Sequence, residues 1–270
     1  MRRLRLQMMA GGLNPVTAFL TATGITNPTI ISALNTLYAD LVTYGIWTKL
    51  KAVYPFVGGT SSNHQFNLVN SANANSAFRL SFFGGWTHSA TGALPNGTNA
   101  YADTYFNAVA QSLSLSSANL SIYQRQDSIA GTSRAKMGSS DTDAIVNGFG
   151  LGLFSTGSVE VGVVGSTGGA QYSPSSSSPA SKGLFMINTI GNRNAQHWKN
   201  GVKNGLAVGQ SGSFSNSNIW LGAMNTNTIN PYYFNREIAF ASIGDGLTDT
   251  EAANYYTAVQ AFQTTLGRQV

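Results

Sequence analysis

The stretch from Gly183 to Leu266 constrains the fold more than any other part of the chain. It opens with G-L-F-M-I-N-T-I and runs through Q-H-W-K-N-G-V-K-N-G to N-I-W-L-G-A-M. Asn200-Gly201 falls between two strand-like runs. A type I′ turn needs φ > 0 at both central residues, and Asn-Gly is the pair that tolerates this best, so a hairpin is expected here. Ile219-Trp220-Leu221 and Ile238-Ala239-Phe240-Ala241 are apolar enough for strands in a sandwich core. A helix with its own start signal follows. Thr248-Asp249-Thr250-Glu251 is a capping box ahead of an apolar run. Tyr255, Val259 and Phe262 share one helical face, Leu266 lies close by, and Gly267 is the expected stop. This helix, over 248–266, is expected at the edge or base of the sandwich.

Upstream, the signals are weaker. Residues 1–26 sustain no helix or strand period and read as an extended arm, with Arg2, Arg3, Arg5, Met8 and Met9 as its attachment residues. An arm without a core stays disordered unless something ties it down. It therefore docks on a neighbouring subunit or packs on its own domain. Residues 27–56 read as helical. Asn27 is a good N-cap, Pro28 sits where its missing N–H costs nothing, and Ile30, Ile31, Leu34, Leu37, Tyr38, Leu41 and Val42 form one apolar face. Gly45 breaks the helix. A second short helix is expected from Ile46-Trp47 through Val53, with Lys49 and Lys51 on its solvated side.

Residues 57–270 read as one β-sandwich with the closing helix. Phe66 and Leu68 suit a strand, and Phe78, Leu80 and Phe82 alternate with polar residues. Gly84 to Asn99 is glycine- and turn-rich and reads as loop. Tyr105 and Val109 flank a strand candidate, and Leu120-Ser121-Ile122-Tyr123 is another. Asp127 to Asp143 is polar and reads as irregular. Val159, Val161 and Val163 alternate, and the Ser-rich run between Pro174 and Pro179 reads as an exposed loop or linker.

Composition narrows function. Only 9% of the 270 residues are charged, against about 25% in a typical soluble domain. The polar surface must therefore come from Asn, Ser, Thr, Gln and Gly, which suits a protein working outside a cytosol in a large assembly. Cysteine is absent, which excludes disulfides and thiolate metal sites. The net charge of +5 reflects few acids, not a polybasic surface, so no nucleic-acid partner is expected. No apolar run approaches the roughly 20 residues of a membrane helix, and the N-terminus lacks the continuous apolar core of a secretory signal. If the protein acts outside cells, lysis is the expected route out.

No reactive constellation emerges. Glycoside hydrolysis needs two carboxylates facing a sugar, about 5 Å or 6.5–9.5 Å apart. Glu160 is isolated, Glu251 belongs to the helix cap, and Glu237 beside Arg236 reads as a surface ion pair. His64, His88 and His197 have no metal-ligand spacing. Asp141 and Asp143, in S-S-D-T-D, leave calcium open as a cofactor, against a solvated turn. No nucleophile elbow and no phosphate loop occurs. The chain is expected not to be an enzyme. Binding residues are easier to name, because sugars are met by aromatic faces and amide or hydroxyl groups. Trp86, His88, Asn96, Asn99 and Tyr101 form one candidate group. Asn225, Asn227, Asn230, Tyr232 and Tyr233 form another. Asn and Gly are also ordinary turn residues, and Trp86 suits a core equally well.

W-K-N-G-V at 198–202, N-I-W-L-G-A at 218–223, F-N-R-E-I-A-F-A-S-I at 234–243 and the L-T-D-T-E cap at 247–251 resemble the concanavalin A-like (laminin-G-like) jelly-roll family. The resemblance covers the last third well and the middle loosely. It implies a mainly β fold, an antiparallel sandwich with a helical N-terminal segment and a C-terminal helix. The segments at 93–104, 120–123 and 240–270 resemble structural proteins of tailed phages. That implies localisation in the virion, as a fibre, spike or head or tail decoration displaying a lectin-like head for a host-surface glycan or receptor. The arm would hold other virion proteins, and fibre architecture suggests a homo-oligomer, a trimer. The alternatives are a purely structural capsid-decorating or minor capsid protein without ligand, and a polysaccharide depolymerase. The resemblance transfers no catalytic residue.

Overall fold

The computed structural model describes residues 14–127, 134–153, 159–165, 172–177, 181–227 and 232–270. Arg2, Arg3, Arg5, Met8 and Met9 lie outside them. The described part of the expected arm is a helix, α1 (Pro15–Thr23). Asn14 Oδ1 accepts the Val16 N–H at 2.9 Å, Pro15 takes the first helical position, and Gly24 ends the helix at φ 66°. About two and a half turns are too few to read as a period, yet Val16 and Phe19 are fully buried.

Helix α2 (Pro28–Thr43) starts the same way, with Asn27 Oδ1 accepting from Thr29 and Ile30 N–H at 2.9 and 3.2 Å. Ala33, Leu34, Leu37 and Leu41 make its buried stripe. The second helix expected after it is a single 3₁₀ turn, Trp47–Lys49, leading into a strand, β1 (Leu50–Tyr54). Sheet pairing decides the conformation of this short apolar run, which neither period distinguishes. Lys49 and Lys51 are partly exposed and each meets a carboxylate. They pair with Glu251 at 2.6 Å and Asp245 at 2.9 Å.

A short helix, α3 (Ser61–His64), precedes β2 (Ser81–Phe83), β3 (Trp86–Ser89), β4 (Gly92–Pro95), β5 (Tyr101–Asn107) and β6 (Ser117–Gln124). Then come β7 (Arg134–Ser139), β8 (Phe149–Leu153), β9 (Val159–Val164) and β10 (Tyr172–Ser177). The chain continues with β11 (Gly183–Ile190), β12 (Asn194–Lys199), β13 (Val202–Ala207), β14 (Asn218–Leu221), β15 (Met224–Asn225), β16 (Ile238–Gly244) and α4 (Asp249–Thr265).

These strands form the expected antiparallel sandwich. The first sheet has the order β13-β12-β11-β6-β16-β4-β3, with β1 also on β16. The second has the order β10-β9-β8-β7-β14-β5-β2, with β15 on β7. Every pairing is antiparallel except the two-residue contact of β15 with β7. The β12–β13 turn has Asn200 at φ 49° and Gly201 at φ 74°, as a type I′ turn requires.

Several segments differ from expectation. The loop expected over 84–99 contains the β3–β4 hairpin, the irregular 127–143 contains β7, and the Ser-rich run expected as a loop or linker from Pro174 belongs, as far as Ser177, to β10. Pro174 is tolerated because β10 is an edge strand. Phe66 and Leu68 are buried but lie in a loop, which Asn67 holds by accepting the Val53 N–H at 2.9 Å. Phe78 sits at φ 58° and ends a 3₁₀ turn, so only the end of its alternating run is strand.

Alternate residues of the first sheet enter two different cores. Leu120, Ile122, Phe185, Ile187, Ala241 and Ile243 face the second sheet and meet Phe106, Met137, Phe149 and Leu221. Tyr123, Leu184, Met186, Trp198, Ala239 and Phe240 face the other way, onto Leu34, Leu37, Leu41, Tyr255, Val259 and Phe262 of the helices. The closing helix therefore covers the outer face of this sheet, not its edge. A strand buried on both sides has no polar face to show, which explains the unbroken I-A-F-A-S-I run of β16. The capping box forms in full. The Tyr255 hydroxyl satisfies two buried serines, lying 2.7 Å from both Ser121 Oγ and Ser242 Oγ, and burial pushes its pKa up to about 12. Arg268, also buried, donates to the carbonyls of Phe56, Pro55 and Ala239 and locks the chain end down.

Candidate functional site

Among the described residues, the helices α1, α2 and α4 pack on the first sheet and leave the outer face of the second sheet uncovered by them. Strand β5 alternates strictly: Ala102, Thr104 and Phe106 point into the core, while Tyr101, Asp103, Tyr105 and Asn107 lie on the open side. In β14, Ile219 and Leu221 point inward and Trp220 outward. Trp220, expected in the core, therefore lies on this face. Cross-strand pairing of β2 with β5 sets Phe83 against Tyr101, and β14 brings Trp220 to the other side. The three rings stack. Tyr101 lies 4.9 Å from Phe83 at 16° and 3.9 Å from Trp220 at 20°. Phe83 is 43% exposed, unusual for so large an apolar ring.

Polar groups border the stack. Strand β5 bulges against β14, so that the four-residue step from Asp103 to Asn107 matches the two-residue step from Trp220 to Asn218. Tyr105 takes φ 54° in the bulge, a left-handed conformation that costs a bulky residue about 1–2 kcal/mol. Asp103 Oδ1 accepts the Tyr105 N–H at 2.7 Å and its Oδ2 accepts from Asn218 Nδ2 at 3.3 Å. The Tyr105 hydroxyl donates to Ser81 Oγ at 2.9 Å. Thr104 Oγ1 donates to the Ile219 carbonyl at 2.6 Å from the buried side. Burial, then the nearby Asp103, Tyr233 and Tyr105, raise the Tyr101 pKa, so its hydroxyl stays protonated. The face thus combines flat apolar rings with fixed hydrogen-bonding groups, but holds no pair of opposed carboxylates among the described residues.

Of the first expected group, only Tyr101 joins this surface fully. Trp86 is half-buried beneath it, with Nε1 donating to the carbonyls of Phe83 and Tyr101 at 3.1 and 3.2 Å and its ring against Gly222. It supports the stack from below. Asn96 and Asn99 are exposed but hold the turn. Asn96 Oδ1 accepts from the N–H groups of Thr98, Asn99 and Ala100, and its Nδ2 donates to Asn99 Oδ1 at 2.7 Å. His88 is a packing residue, with Nδ1 2.9 Å from Nδ1 of buried His64 and its ring against Phe82. Burial, then His88 and Arg268, push the His64 pKa down to about 3, and burial lowers His88 as well.

The second group divides. Tyr233 is half-buried within the electrostatic reach of Tyr101. Tyr232 is tied down by its hydroxyl, which donates to the Asp143 carbonyl at 2.9 Å. Asn225 is buried, donating to the Asn218 carbonyl at 2.9 Å, and Asn227 donates to Ser217 Oγ at 2.6 Å. Asn230 lies outside the described residues. Asp141 accepts from Asn147 at 2.8 Å, and among the described residues no group of three or more His, Asp or Glu side chains gathers as a metal site. Glu237 pairs with Arg125 at 2.6 Å, not with its neighbour Arg236. No helix among the described residues is long and apolar enough to cross a membrane.

Phe83, Asp103, Tyr105, Asn218 and Trp220 were not expected at the site. The signal that marks Asp103 and Tyr105 is the Tyr-x-Asp-x-Tyr-x-Asn alternation of β5, which puts its aromatics on the polar side, and the other three follow only from strand pairing.

No family model and no curated protein matches the chain. Solved structures do. A crystal structure of a receptor binding domain aligns with 80% of this chain and 52% of that one, at 13% identity and TM-score 0.54, and shares the sandwich fold. The chain spans about half the length of that protein. Domain 4 of AbnA, an extracellular arabinanase from Geobacillus stearothermophilus in complex with arabinotriose, aligns with 77% of this chain and 98% of its own at 14% identity, with a TM-score of 0.45.

Proposed function

We propose that this chain is a phage virion protein that presents a lectin-like sandwich to a host-surface glycan or receptor, and that the outer face of the second sheet is the contact surface. The observation that carries the reading is the open stack of Phe83, Tyr101 and Trp220. A sugar ring offers an apolar C–H face and a rim of hydroxyls, which matches flat aromatic rings beside fixed polar groups. Asp103 and Asn218 supply the hydrogen bonds at the rim, and the bulge that positions Tyr105 retains strain of the kind functional sites keep. The virion setting rests on the sequence: few charges, the phage-like segments at 93–104 and 240–270, and an arginine-bearing N-terminus for contact with other virion proteins. A trimeric assembly belongs to the same reading.

The purely structural decoration protein is favoured by one observation. Trp86, the tryptophan best placed by sequence to meet a ligand, is committed to holding Phe83 and Tyr101. A glycan array probed with the full chain separates the two readings. Binding to a host-envelope glycan, reduced about tenfold or more by Tyr101→Ala, supports adhesion. A chain that binds nothing on arrays of host-surface glycans and does not adhere to host cells is a decoration protein.

A further inference from the structure

The aromatic stack ends at β2 beside a shallow, open cleft of about 510 Å³. Phe83 belongs to both, so stack and cleft form one continuous surface. Ser61, Ser62, Gln65, Arg79 and Ser81 supply the polar wall of the cleft. No carboxylate lines it, and Arg79 is the one charged group among its lining residues.

Arg79 is held by side-chain amide oxygens, whereas Arg193, Arg236 and Arg268 are held by backbone carbonyls. Lys49, Lys51, Arg125 and Lys203 each meet a carboxylate. Half-buried Arg79 instead donates from Nε to Asn75 Oδ1 at 3.0 Å and from Nη1 to Gln65 Oε1 at 3.4 Å. Amide oxygens fix a guanidinium without cancelling its charge. Its fork is thereby oriented while the full positive charge still faces the cleft, which is the arrangement that recognises a planar anion by charge-assisted hydrogen bonds. The serine hydroxyls add donors that suit the same anion.

The geometry points to an acidic sugar as the ligand: its carboxylate sits in the cleft on Arg79, and its ring or its neighbour's lies on Phe83 and Tyr101. This deepens the function proposed above and rests on it. Discrimination between an acidic sugar and its neutral counterpart comes from Arg79, whereas affinity for either comes from the stack.

Binding of the full chain is measured for 3′-sialyllactose against lactose and for oligogalacturonate against its methyl ester, in low and in raised salt. The acidic member of at least one pair should bind about tenfold or more tightly, with the preference shrinking as salt rises. Arg79→Gln should abolish the preference and leave neutral-sugar binding in place. Gln65→Glu, which sets a carboxylate against the guanidinium without removing it, should do the same and guards against a folding defect in the first variant. Tyr101→Ala should weaken both members of the pair. Equal binding of acidic and neutral sugars, or a preference that survives both cleft variants, overturns the assignment and leaves the adhesive function standing. Binding of neither pair, with an empty host-glycan array, removes the adhesive function and this assignment together.

Discussion

Both outer faces of this sandwich carry large aromatic residues, and these end up in opposite states. On the first sheet, Tyr123, Leu184, Met186, Trp198 and Phe240 are sealed under α1, α2 and α4. On the second, Phe83, Tyr101, Tyr105 and Trp220 remain at the surface. The covered face is mainly apolar, and its few polar groups are paired with one another, as in the Tyr255–Ser121–Ser242 trio. The open face interleaves each ring with Asp, Asn or Ser. An aromatic residue in a sheet therefore says little until its strand neighbours two positions away are read. Apolar neighbours mark a second core, and polar ones mark a surface that works in water.

The contrast can be broken by mutation. Phe240→Ala removes a fully buried ring between sheet and helices and should cost about 3–5 kcal/mol in denaturant unfolding, among the largest single losses in the chain. A smaller loss would mean the helices cover the sheet loosely. Acid should act next, through the histidine pair. The folded-state pKa of His64 is depressed to about 3 from an ordinary value near 6.5, so the unfolded chain binds the proton first. The contribution of this site is present above about pH 6.5 and is lost as pH falls from there towards about 3. Unfolding curves at pH 7 and pH 4 should show that loss in the wild type and a flatter response in His64→Gln. Equal slopes would place the acid sensitivity elsewhere.

Thr248→Ala should cost about 1 kcal/mol by removing the cap that Glu251 reciprocates, read as a shift in midpoint at constant slope. At the small end, Phe83→Ala should change stability by less than about 1 kcal/mol, because the ring is already half in water. A large loss there would make the open face structural and erase the distinction between the two sides.

Much of the covered side was legible in the sequence. The Asn200-Gly201 turn, the Asn27-Pro28 start of α2 and the capping box of α4 are local signals, each fixed by a few dihedrals and hydrogen bonds. What the sequence hid depends on partners far along the chain. Leu50–Tyr54 became a strand because β16 lies beside it, with Tyr54 opposite Ala241. Arg134–Ser139 became a strand between β8 and β14 although it carries Arg and Lys. Helix α1 was too short to show a period. The candidate site was half legible for the same reason. Tyr101 was found, but Trp86 and His88 proved to be supports, since a glycine-rich stretch reads as a loop until pairing makes it a hairpin. Ile219-Trp220-Leu221 reads as one apolar core run, yet strand alternation sends Trp220 to the face opposite its two neighbours.

The most direct test is hydroxyl-radical footprinting of the full chain with and without a glycan that it binds. Protection centred on Phe83, Tyr101, Tyr105 and Trp220, with Val202 and Leu206 at the margin of the covered sheet unchanged, is the predicted result. Protection at Val202 and Leu206 with the aromatic stack still reactive would contradict it.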